Sequence, residues 1–423
     1  MTRHRPTALR AALRRSLIAA AVIVAFAADV TSNTGLGVRT AHAQAETVRP
    51  ELGKILQPAR DLIRQNRHKE ALQRLREADA VGNRTVYENY VIEQMRASAA
   101  LSAGENDQAL KSMQFMINSG RMAEAEQGRY AASIAGLMYR AKDYAGAANW
   151  AARAFKTNPA DGASRALMIQ SYYLAGDFAS ASREALADVQ AAEKTGQKPP
   201  EDKLQLLANI ASRNTADRSG YVNALEKLVT YYPKREYWAD LLARIESKPG
   251  FSSRLQLDVY RLRLATKTLN TGNDLLEMAQ LALQDGQAAE AKKALEDGFA
   301  SGQLGKGAEG ERHKRLLALA TQRTNDAPKD LSATEAEAIA NRDGNALVRV
   351  GLAYTGLGQF DKGIALMQQG IGFGNLRRPT DANLHLGIAM LRAGQKGRGA
   401  QAFGKVTGTD GAADLARLWT KLP

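Results

Sequence analysis

Lys142-Asp143-Tyr144-Ala145-Gly146-Ala147 and Gly176-Asp177-Phe178-Ala179-Ser180-Ala181 decide the fold of this chain. Tyr144 and Phe178 stand 34 residues apart, as do Ala147 and Ala181, and upstream Met138 and Tyr172 keep the same interval. Each segment reads as a tight polar turn, then an aromatic, then an alanine three residues later. A 34-residue period suits two antiparallel helices, with small side chains where they cross and large ones filling the gaps. The frame sets one repeat at Gly128–Asp161 and the next at Gly162–Thr195.

Working outward, weaker copies appear. Ala103-Gly104-Glu105-Asn106-Asp107-Gln108-Ala109 and Gly286-Gln287-Ala288-Ala289-Glu290-Ala291 each end one helix and start another. Val350-Gly351-Leu352-Ala353-Tyr354 leads into Gly358-Gln359-Phe360, and Leu386-Gly387 with Gly394 and Phe403 follows about one repeat later. Asn66 with Ala71, and Trp238 with Leu241 and Leu242, mark degenerate copies. An aromatic after the turn followed by a packing alanine, in this register, resembles the tetratricopeptide repeat (TPR) family. Pro159 falls where that family places its terminal proline. The resemblance implies an all-α, TPR-like helical-repeat solenoid of seven to nine antiparallel helix pairs. Gly363 stands where the family has its second-helix alanine, so a looser helix is expected there.

Composition agrees. Apolar residues make up 44% and charged residues 24%, enough for a core, while aromatics are only 6%. Alanine and leucine dominate, and both lose little freedom in a helix. The chain has no cysteine, which removes disulfides, thiolate nucleophiles, cysteine zinc sites and a lipoprotein anchor. Breaks are expected at 191–203 around Pro199-Pro200, at 247–253 around Pro249-Gly250, at the glycine-rich 301–310 and at the polar 321–331 with Pro328. Ser332-Ala333-Thr334-Glu335 reads as a capping box that restarts a helix. The mature chain therefore reads as two repeat regions, 44–310 and 311–423, hinged across 301–331.

The first 43 residues read as an address. Arg3 to Arg15 are strongly basic, Leu17 to Ala28 are continuously apolar, and Ala41-His42-Ala43 is an A-x-A cleavage site. That order is a secretory signal peptide, cut after Ala43 and delivering the protein to the periplasm. The apolar run is short for a bilayer span, which needs about 20 residues. Membrane contact follows only if the signal stays uncleaved. Without those 43 residues the formal charge drops from +14 to +9, spread along the chain. Export and the dispersed charge argue against nucleic acid as a partner.

No catalytic constellation emerges. His68, His313 and His385 are scattered, with none in a metal-ligand pair, and no phosphate loop or dinucleotide fingerprint is present. In an open repeat array each repeat touches only its neighbours, so a distributed site is not expected. The reading is a binding protein, not an enzyme, with no cofactor. Groove positions of the TPR family, carried onto the two well-registered repeats, fall on Arg129, Ala132, Gly136 and Tyr139, and on Ala163, Ala166, Gln170 and Tyr173. Arg129, Tyr139, Gln170 and Tyr173 are the candidate partner contacts, the tyrosines serving as amphipathic anchors or as packing between repeats. The Lys/Asn set that clamps a C-terminal carboxylate is absent there.

One longer segment adds a partner. Leu225-Glu226-Lys227-Leu228-Val229-Thr230-Tyr231-Tyr232-Pro233-Lys234-Arg235-Glu236-Tyr237-Trp238 resembles exported TPR proteins assigned to TonB energy-transduction systems. The resemblance implies a periplasmic scaffold with TonB, ExbB or ExbD type partners. The alternative is a structural envelope protein that holds peptidoglycan or another anionic polymer through its basic surface.

Overall fold

The computed structural model describes residues 47–269 and 271–422; the basic and apolar N-terminal stretch with its expected cut after Ala43 lies outside them. Among the described residues there are 20 α-helices and no strand. They are joined mostly by turns of a few residues, as antiparallel helix pairs require. The chain divides into two compact units, with the division in sequence between Ala181 and Ser182.

The first unit holds α1 (Pro50–Arg64), α2 (His68–Glu77), α3 (Val86–Ala103), α4 (Asn106–Asn118), α5 (Glu124–Arg140), α6 (Tyr144–Thr157), α7 (Gly162–Ala175) and the start of α8 (Phe178–Lys194). The hexapeptides that opened the sequence reading are helix-to-helix turns of one construction. Asp143 N–H donates to Met138 O and Lys142 N–H to Tyr139 O; Asp177 N–H donates to Tyr172 O and Gly176 N–H to Tyr173 O. These bonds close each helix with a left-handed residue, φ 64° at Lys142 and φ 82° at Gly176. The next aspartate caps the following helix at once, Asp143 accepting from Gly146 N–H at 2.9 Å and Asp177 from Ser180 N–H at 3.0 Å. Arg342-Asp343 repeats the device, with Asp343 N–H donating to Ala338 O. The core between the helices is built from small and flexible side chains: Ala97, Ala100, Met113, Met116, Ala131 and Ile134 pack together.

The second unit holds α9 (Glu201–Arg213), α10 (Arg218–Tyr231), α11 (Arg235–Glu246), α12 (Gln256–Ala265), α13 (Gly272–Gln284), α14 (Ala288–Ala300), α15 (Gly310–Ala340), α16 (Gly344–Gly356), α17 (Phe360–Gly372), α18 (Pro379–Arg392), α19 (Lys396–Phe403) and α20 (Ala412–Trp419). Its alternate helices do not line an open groove. α14 touches α16, α16 touches α18, α18 touches α20, and α20 touches α12. Arg261 of α12 binds Glu290 of α14, which completes a closed inner ring. The burial pattern follows. Leu257, Asp258, Val259, Tyr260, Arg261 and Leu262 are consecutive and all buried, so α12 is covered on every side. α16 and α18 are likewise buried around most of their circumference.

Three expectations change. The segment 301–309, expected as part of a hinge between repeat regions 44–310 and 311–423, is packed into the second unit. Leu304 is buried against Leu275 and Leu295, and Gly305 N–H donates to His313 Nδ1. Nor does 321–331 break the chain: α15 runs through Pro328 as one helix of 31 residues. Ser332, the cap of the expected box, therefore lies inside that helix and starts none. A single proline removes one intrahelical bond, and a largely solvated helix can carry that loss. The third change is at Gly363. A Cβ there would meet Gly351 O at 2.5 Å, and one on Gly351 would meet Gly363 O at 2.6 Å. Gly363 marks the tightest kind of helix crossing, not a loose helix.

Candidate functional site

In the first unit α5 touches α7, and α1 touches α3, as alternate helices of a repeat array do. On α5 the buried positions are Gly128, Ala131, Ile134, Ala135 and Leu137, which leaves Arg129, Ala132, Gly136 and Tyr139 as a separate stripe. On α7, Ser164, Met168, Ile169 and Ser171 are buried, and Ala163, Ala166, Gln170 and Tyr173 form the matching stripe. The same register on α3 reaches Val91, Gln94, Ser98 and the exposed Leu101, an extension the sequence reading did not make.

The four predicted contacts differ in character. Arg129 projects into solvent, with only a loose 3.7 Å pairing to Glu126 one turn away. Tyr139 packs edge-on against Tyr144 at 5.5 Å and Tyr173 against Phe178 at 5.5 Å. Each tyrosine therefore braces the first aromatic of the next helix in its own pair, not the neighbouring repeat. Among the described residues neither tyrosine hydroxyl has a hydrogen-bond partner, and the half-buried Gln170 amide has none either. Burial pushes the Tyr139 phenol up, so it stays a neutral donor. The stripe thus offers rings, two hydroxyls and amides, with one guanidinium at its edge.

The segment that resembles TonB-associated proteins is engaged internally. Tyr231 donates to Glu193, Tyr232 to Pro199 O and Tyr237 to Glu201, while Trp238 is buried. Lys227 and Lys234 pair with Glu193 and Glu201 across about one repeat. These side chains join α10 and α11 to the preceding helices.

Sequence reasoning missed the charged centre of the second unit. Arg261 Nη1 donates to Asp258 at 2.7 Å, and its Nε and Nη2 grip Glu290 at 3.0 and 2.8 Å. His385, 127 residues from Asp258 along the chain, sits 3.0 Å from it. Burial opposes the Asp258 charge, but His385 and Arg261 outweigh it and hold the carboxyl below its usual range. Burial likewise opposes charge on His385, and Asp258 overrides it, raising the imidazole. Asp285, at the end of α13, is pushed up by burial despite Arg261 nearby. The isolated histidine of the sequence reading is therefore one member of a buried ionic network. The closed ring makes this possible, since residues far apart in sequence meet across it. Among the described residues no group of three or more acidic or histidine side chains is placed to hold a metal, and no helix is long and apolar enough to cross a membrane.

No protein family and no curated protein matches this sequence. Solved structures do align with it at low similarity. One is Naa15/Naa10 bound to HypK-THB, at 16% identity over 84% of this chain, with a TM-score of 0.27. This chain spans 64% of the length of that one. Another is yeast Tom70, at 11% identity, 88% of this chain and 95% of that one, with a TM-score of 0.20. The P58(IPK) TPR domain aligns at 16% identity over 82% of this chain and 99% of its own, with a TM-score of 0.22. Superpositions this poor decide nothing, and the helical-repeat assignment rests on the chain's own turns, pairs and packing.

Proposed function

We propose that this protein is an exported scaffold of the cell envelope that binds a protein segment along the inner face of α3, α5 and α7. The observation that carries the reading is the contrast between the units. The inner helices of the second unit are buried in a closed ring, while those of the first leave a partly exposed stripe, with Arg129, Ala163 and Ala166 in solvent and Tyr139, Gln170 and Tyr173 half-buried beside them. A surface of that kind suits an extended or helical segment, with tyrosines as low-entropy anchors and amides for main-chain hydrogen bonds. Export is supported by the basic, apolar and A-x-A order of residues 1–43. A TonB-type uptake system is the partner class favoured by the Tyr232-Pro233…Tyr237-Trp238 resemblance, which speaks to kinship and not to contact, since those side chains are occupied within the fold.

The test is recovery of crosslinked partners from envelope fractions by the wild-type protein and by a Tyr139→Ala/Tyr173→Ala/Arg129→Ala variant. The expected result is capture of an ExbB, ExbD or TonB type protein by the wild type and its loss in the variant, with helix content unchanged. Equal capture by both proteins would remove the stripe from the interface. Capture confined to cell-wall polymer at low salt would favour the anionic-polymer reading.

A further inference from the structure

The seams of the inner ring are not alike. α14 meets α16 where Ala289 lies against Gly356, a small and apolar contact. The seam that closes the ring, where α12 and the segment before it meet α18 and α20, is charged along its length. Arg254 binds Asp381 of α18 with two parallel bonds of 2.9 Å and Asp410 at 2.7 Å. Lys248 pairs with Asp414, and Arg417 pairs with Glu226 of α10. At its inner end Asp258 faces His385. A single main-chain bond, from Ser252 N–H to Asp410 O, runs alongside, and the Phe251 ring lies over Gly411.

We propose that this seam is a proton-tightened clasp, which holds the inner ring of the second unit closed while His385 is charged and loosens when His385 gives up its proton. The charge count explains the sign. The groups acting on His385 are Asp258 and Arg261 from α12 and Asp285 from the end of α13, with Glu290 of α14 reached through Arg261; Asp381 lies one turn earlier on α18 and is taken by Arg254, and Asp414 of α20 is taken by Lys248 and Arg417. Asp285 is exposed at the rim, 4.0 Å from Arg261, and its charge is met by water. Inside it, with His385 charged, Arg261 and His385 balance the buried Asp258 and the half-buried Glu290. With His385 neutral, those two carboxylates outnumber the one remaining cation, and excess charge withdrawn from water is costly. Because closure raises the His385 pKa, the closed form binds the proton more tightly. Its contribution is fully present below the ordinary histidine range and is lost as pH rises through the raised value. Loosening would uncover the inner faces of α12 and α18, a surface the closed ring withholds from any partner.

Hydrogen–deuterium exchange on the full chain, from about pH 5.5 to about pH 9 at fixed ionic strength and corrected for intrinsic rates, tests the clasp. Amides of α12, α18 and α20 should lose protection several-fold as pH rises, while those of α16 and α17 keep theirs. His385→Gln should show the low level of protection at every pH. An unchanged wild-type profile, a uniform loss across the second unit, or a pH response retained in His385→Gln would each overturn the proposal. If that variant does not fold, the wild-type imidazole is followed by NMR. Its titration must coincide with the loss of protection, and a mismatch overturns the clasp.

Discussion

At the scale of single residues, most of what the sequence shows here is backbone conformation. The turn at Lys142 and the turn at Gly176 make the same hydrogen bonds, yet only the second has the residue that tolerates φ > 0. A side chain in this region costs about 1–2 kcal/mol, partly offset by the greater freedom glycine gives the unfolded chain, about 0.4–1 kcal/mol. Lys142→Gly should therefore stabilise the first unit by about 0.5–1 kcal/mol. A urea titration should show a higher midpoint with an unchanged slope; an unchanged or lower midpoint would mean that Lys142 does something at this turn beyond closing it. Arg261 poses the opposite problem. Removing it by Arg261→Gln leaves the buried Asp258 with His385 alone and the half-buried Glu290 without its cation. Breaking a buried pair from one side costs about 3–5 kcal/mol. Thermal unfolding of the second unit should fall accordingly, and part of the loss should be recovered when Glu290→Gln is added to remove the orphaned charge. No recovery in the double variant would mean that the loss comes from packing of the guanidinium and not from its charge.

Element by element, the legible features were those with a local cause. The breaks expected around Pro199-Pro200 and Pro249-Gly250 are present: Gly196, with φ 69°, closes α8, Pro200 precedes α9, and Pro249 follows the end of α11. The 34-residue register gave α5 to α8 because a tight turn is specified by a few adjacent residues. α15 was misread because its polar stretch carries loop-like residues and Pro328, while what holds the helix is packing on either side of that stretch, at His313 and Ala320 before it and at Ala338 after it. Gly363 was misread because a glycine in a helix looks like weakness unless its partner is known. Gly351 is that partner, twelve residues back on the facing helix. Gly363→Ala should cost about 1–3 kcal/mol by forcing α16 and α17 apart. Differential scanning of the variant would show it, and a neutral result would mean that this crossing can spread without loss.

For the whole of the second unit, the decisive property was invisible in the sequence, because ring closure depends on the cumulative rotation between successive helices. An open array was the natural expectation, and it carried the inference that no distributed site could form. His385 and Asp258 meet only because α18 and α20 return to α12. That Arg129 and Tyr139 share one face of α5, and Gln170 and Tyr173 one face of α7, was legible for the converse reason, since a stripe on one helix follows from spacing alone. Closure and openness differ in how damage spreads. In an open array the loss of a terminal helix is felt by its immediate neighbours. In a closed ring it reaches the first helix as well. A chain ending after Gly408 lacks α20 and with it Asp410, Asp414 and Arg417, the partners of Arg254, Lys248 and Glu226. Exchange should then rise in α12, about 150 residues upstream, as well as in α18. It should stay unchanged in α3 to α7 of the first unit. Protection of α12 that survives the truncation would show that the ring does not need its closing helix, and that α12 is held by α13 and α14 alone.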